Sequence, residues 1–411
     1  MTNMQIITPH YILLRDKVVA NLSIAFDKEI KKIAPFEELI EAFPHAEVTT
    51  LREHSLVMPG LINAHVHIEF SKNKTQLSYG DFLNWLYSVI ENRADLINDC
   101  GIECMKEAID AMLENGITTF GAVSSHAMDL EACAKAKQNV VFFNELIGSQ
   151  ATMADALYSD FINRVDASKA VQREGFYPAV AIHSPYSVHP ILVKKAVELA
   201  KSENLKLTAH FMESVAEREW LDESSGDFKE FFETLLKQDK SVSTAQEFLE
   251  YFRGSHALLT HVTNAKESEL EEIAKEGHTI IHCPISNRLL GNPILNIKQL
   301  NEKKINWIVA TDGLSSNYEL DLFEEMKISL FMHSSAPLLE FAQSLLDGVT
   351  VHAAEALGLN TGVIEEGKNA DILVLDLESE PTKELPIHLI LHRYNISKVY
   401  VNGNLVKGTK K

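Results

Sequence analysis

Four segments of this chain carry imidazoles or carboxylates where a short apolar run stops: NAHVHIEF holds His65 and His67, LTAHFMES holds His210 and Glu213, LLTHVTN holds His261, and VATDGLSSN holds Asp312. Such groups are costly to bury unless a metal or a charged partner satisfies them. The runs have strand character and lie far apart in the chain. To satisfy all these groups together, the fold must bring the same ends of several strands to one place. A barrel mouth does this, and three histidine sites plus an aspartate are what a divalent metal held there requires.

The rest of the chain agrees with that geometry. Apolar strand candidates GITTFGAVS, NVVFFNELI, YPAVAIHSP, LKLTAHF, HALLTHV, HTIIHCP and INWIVATDG alternate with helical segments such as ILVKKAVELAKSEN and SELEEIAKEG. Strand–helix alternation implies a parallel sheet, and about eight repeats imply closure. The expected fold is α/β, a (β/α)8 TIM-type barrel over roughly 59–365. Short strand-like segments at the two ends, 1–58 and 366–411, are expected to pair as one small β-sandwich domain; the second of them holds an Asn-Gly hairpin signal in KVYVNGNLVKG. The polar stretch after Glu213, DESSGDFKEFFETLLKQDKSVSTAQEFLEYF, is longer than a usual barrel connection. It is either a lid over the site or a plain surface insertion.

Composition narrows the partners. A formal net charge of −20 argues against nucleic acid and anionic membranes, whose phosphates would be repelled. A free small molecule is the expected substrate. No apolar stretch approaches the ~20 residues needed to span a bilayer, and the N-terminus lacks a secretory pattern. Only four cysteines occur, without framework spacing, which fits a cytoplasmic location. Cys100 and Cys104 are spaced to share one helical face as buried spacers, and Cys283 has no evident base to activate it as a nucleophile.

In a strand, residues two apart face one side, so His65 and His67 can reach one ion. His210 is placed to be a third ligand, with Glu213 projecting into the same cleft as a proton carrier. His261 reads as either a ligand or a donor to bound water. Asp312 has a bland alternative as the cap of a following helix, but Ser315 or Asn317 could cap it equally well. His183 in HSPYS should face the same mouth, and Ser286, Asn287 and Arg288 in HCPISNRLLG could line a pocket. No lysine ends the strands before His210, so one metal is expected rather than a lysine-bridged pair. Nitrogen and oxygen donors favour Zn²⁺, with Fe²⁺ or Mn²⁺ as alternatives.

The ordered set PGLINAHVH, HSPYS, HFMES, THVTN, HCPISNRLLGN and TDGLSSN resembles the amidohydrolase superfamily, in its chlorohydrolase/cytosine-deaminase-like branch. The match spans nearly the whole chain and lies nearest the deaminases of 5′-modified adenosines. The resemblance implies that His65, His67, His210 and Asp312 bind the metal. It makes Glu213 the acid/base, His261 the group orienting the attacking water, His183 a nucleoside contact and Glu91 the partner of the ribose hydroxyls. Arg288, ahead of Arg93, is expected to meet an acidic 5′-substituent. The implied reaction replaces the 6-amino group by oxygen and releases ammonia. Aminodeoxyfutalosine, of a menaquinone route, is the expected substrate, ahead of methylthioadenosine and S-adenosylhomocysteine. Guanine, cytosine or triazine hydrolysis on the same scaffold is the alternative within enzymes, and an inactive barrel acting as a binding protein the alternative outside them. A homodimer is the expected partner state beyond the substrate.

Overall fold

The computed structural model describes residues 3–15, 17–72 and 77–408, with the backbone alone for 93–99. Its centre is a barrel of eight parallel strands: β1 (Leu61–Val66), β2 (Ile117–Ser124), β3 (Asn139–Leu146), β4 (Phe176–Ile182), β5 (Leu207–Phe211), β6 (Leu258–His261), β7 (Thr279–His282) and β8 (Trp307–Val309). Each strand pairs with its sequence neighbour, as the strand–helix alternation requires. Between β8 and β1 the ring is closed by individual bonds. The Asp312 N–H donates to the His65 carbonyl at 3.2 Å. Asn63 accepts from the Thr311 N–H at 3.1 Å and donates to the Thr311 hydroxyl at 2.7 Å. The closing bonds therefore run through a predicted site residue.

Alternation along the strands sorts their side chains into two layers. Ala179 and Ala181 of β4, Val141 and Phe143 of β3, and Ile281 of β7 fill the barrel interior with Ile62, Ala64 and Ile308. Helix Val351–Leu357 adds Ala353, Ala354 and Leu357 to that interior cluster. The intervening residues, such as Val180 and Ile182, Val140 and Phe142, and Ile280, join a larger cluster beneath the surrounding helices. Strands buried on both faces read as continuous apolar runs, which is why the sequence shows them so clearly.

The chain ends build two further sheets. One holds Gln5–Thr8, Ser23–Phe26, Ile30–Ala34 and Glu47–Thr50; the other joins Tyr11–Leu13, Val18–Ala20 and Ser55–Pro59 to Ile372–Asp376, Asn395–Val401 and Asn404–Lys407. Ile7, Ile24 and Phe26 of the first meet Ile12, Val57, Ile372 and Tyr400 of the second in one apolar cluster. N- and C-terminal segments thus share a sheet through Ser55–Pro59 and Ile372–Asp376, paired antiparallel.

Two sequence expectations are corrected. Cys100 and Cys104 are joined in a disulfide, their Cα atoms 5.3 Å apart. They do not share a helical face, because helix Phe82–Asp99 stops before Cys100 and a new helix, Ile102–Glu114, starts after Gly101. The helix expected directly after Asp312 begins only at Leu322, and its cap is Asp321, which accepts from the Phe323 N–H at 2.8 Å. Neither Ser315 nor Asn317 caps it. Asn317 instead donates to the Thr311 carbonyl at 2.7 Å.

The stretch after Glu213 forms helices Val215–Glu223, Asp227–Leu236 and Ala245–Tyr251. Phe228 packs on Tyr186, just past the end of β4, with ring centroids 4.8 Å apart, and on Phe82 at 6.0 Å. Phe231 meets Tyr87 at 5.5 Å. The insertion is therefore wedged by aromatic rings between the β4 loop and helix Phe82–Asp99, beside the strand ends that carry the histidines.

Candidate active site

At the C-terminal ends of the barrel strands, side chains from β1, β5, β6 and β8 converge. The His67 and His210 rings stack with centroids 5.3 Å apart, and the His65 ring stands edge-on to both, at 5.0 and 4.9 Å. One ring nitrogen from each of His65, His67 and His210 lies within 4.8 Å of the others. Nε2 of His67 and Nε2 of His210 are 3.2 Å apart. The orientation of His210 is set from behind, since its Nδ1 donates to the His183 carbonyl at 2.8 Å, which leaves Nε2 as the inward lone pair. Burial holds the His65 imidazole below its ordinary pKa and the His210 imidazole well below. Both are neutral at physiological pH, the form that ligates. The Nε2 atoms of His65 and His261 are buried without a hydrogen-bond partner. An unpaired buried nitrogen is costly, and a cation among these donors removes that cost. The residues fit a divalent metal.

Asp312 completes the cluster. Its Oδ1 is 3.5 Å from His65 Nε2 and 3.6 Å from His67 Nε2. Burial alone would raise its pKa, but the neighbouring imidazoles of His65, His67 and His261 outweigh it and hold the carboxyl well below the usual range. Three donors reinforce the charge: the Ser286 and Ser316 hydroxyls, each 2.8 Å from Oδ2, and the Gly313 N–H, 2.8 Å from Oδ1. Hydrogen bonds to a charged group contribute about 1.5–3 kcal/mol each. Gly313 is required by close approach, because a Cβ there would sit 2.9 Å from the Cβ of His67. Asp312 itself has φ of 59°, and His261 and Val262 have 74° and 54°. Left-handed non-glycine backbone costs about 1–3 kcal/mol per residue, so the surrounding bonds fix conformations the local sequence disfavours.

Glu213 faces the same cluster from the β5 exit. Its Oε1 is 3.5 Å from His261 Nε2 and accepts from the Asn292 side chain at 3.4 Å. Burial, with the negative charges of Asp312 and Glu217, pushes its carboxyl well above the usual value. His261 is held the other way: burial takes its pKa down to about 4. Its Nδ1 donates to the side-chain Oδ1 of Asn287 at 2.9 Å, which makes Nδ1 the protonated nitrogen and turns Nε2 toward Glu213. Ser286 and Asn287 lie in the short helix Pro284–Leu289, buried, with their side chains tied to Asp312 and His261.

The remaining predicted residues fall into two groups. His183 is in the cluster, its ring 5.1 Å from that of His210 and its Nδ1 2.6 Å from the Ser187 hydroxyl. Arg288 and Glu91 are exposed, the one on helix Pro284–Leu289 and the other on helix Phe82–Asp99. The Arg93 side chain lies outside the described residues. His282 turns away to pair with His333, Nε2 to Nε2 at 3.2 Å, and burial pushes the Cys283 thiol well up, which leaves it unreactive. Two residues escaped sequence reasoning. Glu145 ends β3, buried, with Oε1 3.8 Å from His210 Nδ1. Its signal was present, a carboxylate closing the apolar run NVVFFNEL. Asn292 had none, being one polar residue in a turn.

A closed parallel barrel with a polar cluster at the C-terminal strand ends places this chain among barrel enzymes. A model of the amidohydrolase family matches residues 56–406, and the chain belongs to that family. It is 45% identical over 402 residues to an aminodeoxyfutalosine deaminase of a Nitratiruptor species, covering 97% of this chain and 98% of the relative. An adenosine deaminase of Helicobacter pylori is 33% identical, covering 95% and 96%. Among solved structures, the aminofutalosine deaminase of Helicobacter pylori in complex with methylthio-coformycin superposes with a TM-score of 0.91 at 33% identity, over 98% of this chain and 100% of that one. Among the described residues, no helix is long and apolar enough to cross a membrane.

Proposed function

We propose that this protein is a hydrolytic deaminase of a 5′-modified adenosine, with aminodeoxyfutalosine as its substrate and futalosine and ammonia as products. One observation carries the chemistry: three histidine nitrogens within 4.8 Å of one another adjoin two buried carboxyls, Asp312 drawn down in pKa by its neighbours and Glu213 pushed up by burial. Hydrolytic deamination needs such a pair, a proton donor for the ring and a proton acceptor for the water. The near-full-length likeness to an aminodeoxyfutalosine deaminase supports the substrate.

His65, His67, His210 and Asp312 would hold one divalent metal, Zn²⁺ ahead of Fe²⁺ or Mn²⁺ on their nitrogen and oxygen donors. When bound, the metal supplies Lewis acidity that lowers the pKa of water toward about 7. The chain's own groups do the rest. Asp312, ionised and oriented by Ser286, Ser316 and Gly313, accepts a proton as water attacks C6 of the purine. His261, with its proton fixed on Nδ1 by Asn287, presents Nε2 to hold the nucleophile in line. Glu213, its carboxyl pushed up by burial, donates a proton to N1, which draws electrons from C6. Proton transfer to the 6-amino group then lets ammonia leave and the C6 carbonyl form. His183 contacts the nucleoside, Glu91 the ribose hydroxyls, and Arg288 an acidic group on the 5′-substituent.

Ammonia release measured on aminodeoxyfutalosine, methylthioadenosine, S-adenosylhomocysteine and adenosine tests the substrate. kcat/KM is expected to be highest on the first by at least about tenfold, the discrimination of a good polar or charged contact. Equal or better turnover of methylthioadenosine would overturn the aminodeoxyfutalosine reading and keep the reaction. Turnover confined to free bases or triazines would remove the nucleoside as well.

A further inference from the structure

The carboxyl of Glu213 is aimed by its own backbone, which leaves β5 through a turn that no glycine eases. Met212, between Phe211 and Glu213, has φ of 49°. Two sets of bonds hold the turn. The Glu213 carbonyl accepts from the Thr263 hydroxyl at 2.7 Å and the Asn264 side chain at 3.2 Å, both on the loop after β6. The N–H side is held by one residue: the Glu217 carboxylate accepts from the Met212 N–H at 3.1 Å and from the Glu213 N–H at 2.7 Å. Glu217 lies in the first turn of helix Val215–Glu223, buried to 1% exposure, and its own N–H donates to Ser214 at 3.1 Å.

An acid on a surface helix gains nothing from being buried. Here burial raises the Glu217 carboxyl to about 7, and the bonds from Glu213, Met212 and Ser214 and the charge of Arg218 oppose that rise without cancelling it. Its charge acts on Glu213 and the Tyr186 phenol, and that of Arg218 acts on it. Arg218 is itself spent on Asp222 and Glu269. A carboxylate kept in such surroundings, with both oxygens on the backbone of the turn, is placed there for that turn.

We propose that Glu217 is a positioning residue for the deamination, fixing the Met212–Glu213 turn so that the Glu213 carboxyl is aimed at the nucleobase. The inference rests on Glu213 being the proton donor. Glu217 touches no substrate atom and acts only through Glu213. Losing it lets the turn relax and displaces the donor, and a displacement of about 1 Å is enough to cost up to 10²-fold in turnover.

A double-mutant cycle on the metal-loaded enzyme separates this from a merely structural role. Glu217→Gln keeps the size but sets an NH₂ donor against one of the two N–H groups that the carboxylate's separate oxygens accept. It is expected to lower kcat by about tenfold to a hundredfold, with KM changed less than about threefold and metal content unchanged. In a Glu213→Gln background the same substitution should cost less than about threefold, because nothing remains to be aimed. An equal loss in both backgrounds, or no loss of kcat in the first, overturns the proposal. Full turnover by Glu213→Gln alone overturns the donor assignment instead, a distinct result. If Glu217→Gln does not fold, Glu217→Asp enters the same cycle, since its shorter carboxylate cannot span both N–H groups and the same two outcomes decide.

Discussion

The β8 end and the β5 end of the barrel each present one buried carboxyl to a shared cluster of histidines, and the pKa values of the two are shifted in opposite directions. Asp312 sits among imidazoles and receives two hydroxyls and a backbone N–H, so it keeps its charge. Glu213 receives one long bond from Asn292 and faces the charges of Asp312 and Glu217, so its pKa is pushed up. Burial is common to both. The count of donors and the sign of neighbouring charges shift the two carboxyls apart. In the proposed reaction that difference assigns the proton acceptor to one strand end and the proton donor to the other.

The largest effect should come from removing the charged member. Asp312→Ala takes away both a metal ligand and the proton acceptor, and turnover is expected to fall by more than about 10⁴-fold, beyond what one acid–base group supplies. Metal analysis should show less than one ion per chain; full metal with substantial turnover would break the comparison at the β8 end. Glu213→Gln should keep its metal and lose about 10²–10⁴-fold in kcat. Its pH profile sharpens the contrast. Glu213 works protonated and holds its proton above the ordinary 4.5, so wild-type kcat should fall as pH rises through that raised value. The alkaline limb should vanish in Glu213→Gln, and a limb that persists there belongs to another group.

Smaller changes test the donors. Ser286→Ala removes one of the two hydroxyls on Asp312 Oδ2, and metal affinity or activity should drop about tenfold to a hundredfold. The corresponding loss at Glu213, Asn292→Ala, should cost less, since that bond is long. The smallest effect is thermodynamic. In the metal-free protein, folded Glu213 releases its proton at higher pH than the unfolded chain does, so its contribution to stability falls as pH rises from 4.5 toward the raised value. Glu213→Gln should therefore lose less Tm between pH 5 and pH 8 than wild type, by about 1–3 °C. An identical slope in the two proteins would show that Glu213 is not held protonated.

Much of this site was legible because strand ends in a parallel barrel announce themselves. An apolar run buried on both faces stops where the chain meets the cavity, so His65, His67, His210, His261 and Asp312 stand out as ionisable groups where none should be buried without a partner. Glu145 closes such a run too and went unread. Glu217 and Asn292 gave no such signal. Glu217 falls in a helix that reads as a solvated acidic face, VAEREW, and only the packing of the insertion buries it. Cys100 and Cys104 misled for a related reason: their spacing is helical, but the chain breaks at Gly101 between them.

The sequence by itself determined the barrel, the order of its strands and the residues at their ends, because hydrophobic periodicity and the cost of buried charge are local and additive along the chain. Tertiary structure alone decided which carboxyl is pushed up in pKa and which is held down, which nitrogen of His261 carries the proton, and that an acid four residues past Glu213 would hold its backbone. Those outcomes depend on desolvation and on partners from distant segments. Neither can be read until the strands and loops have met.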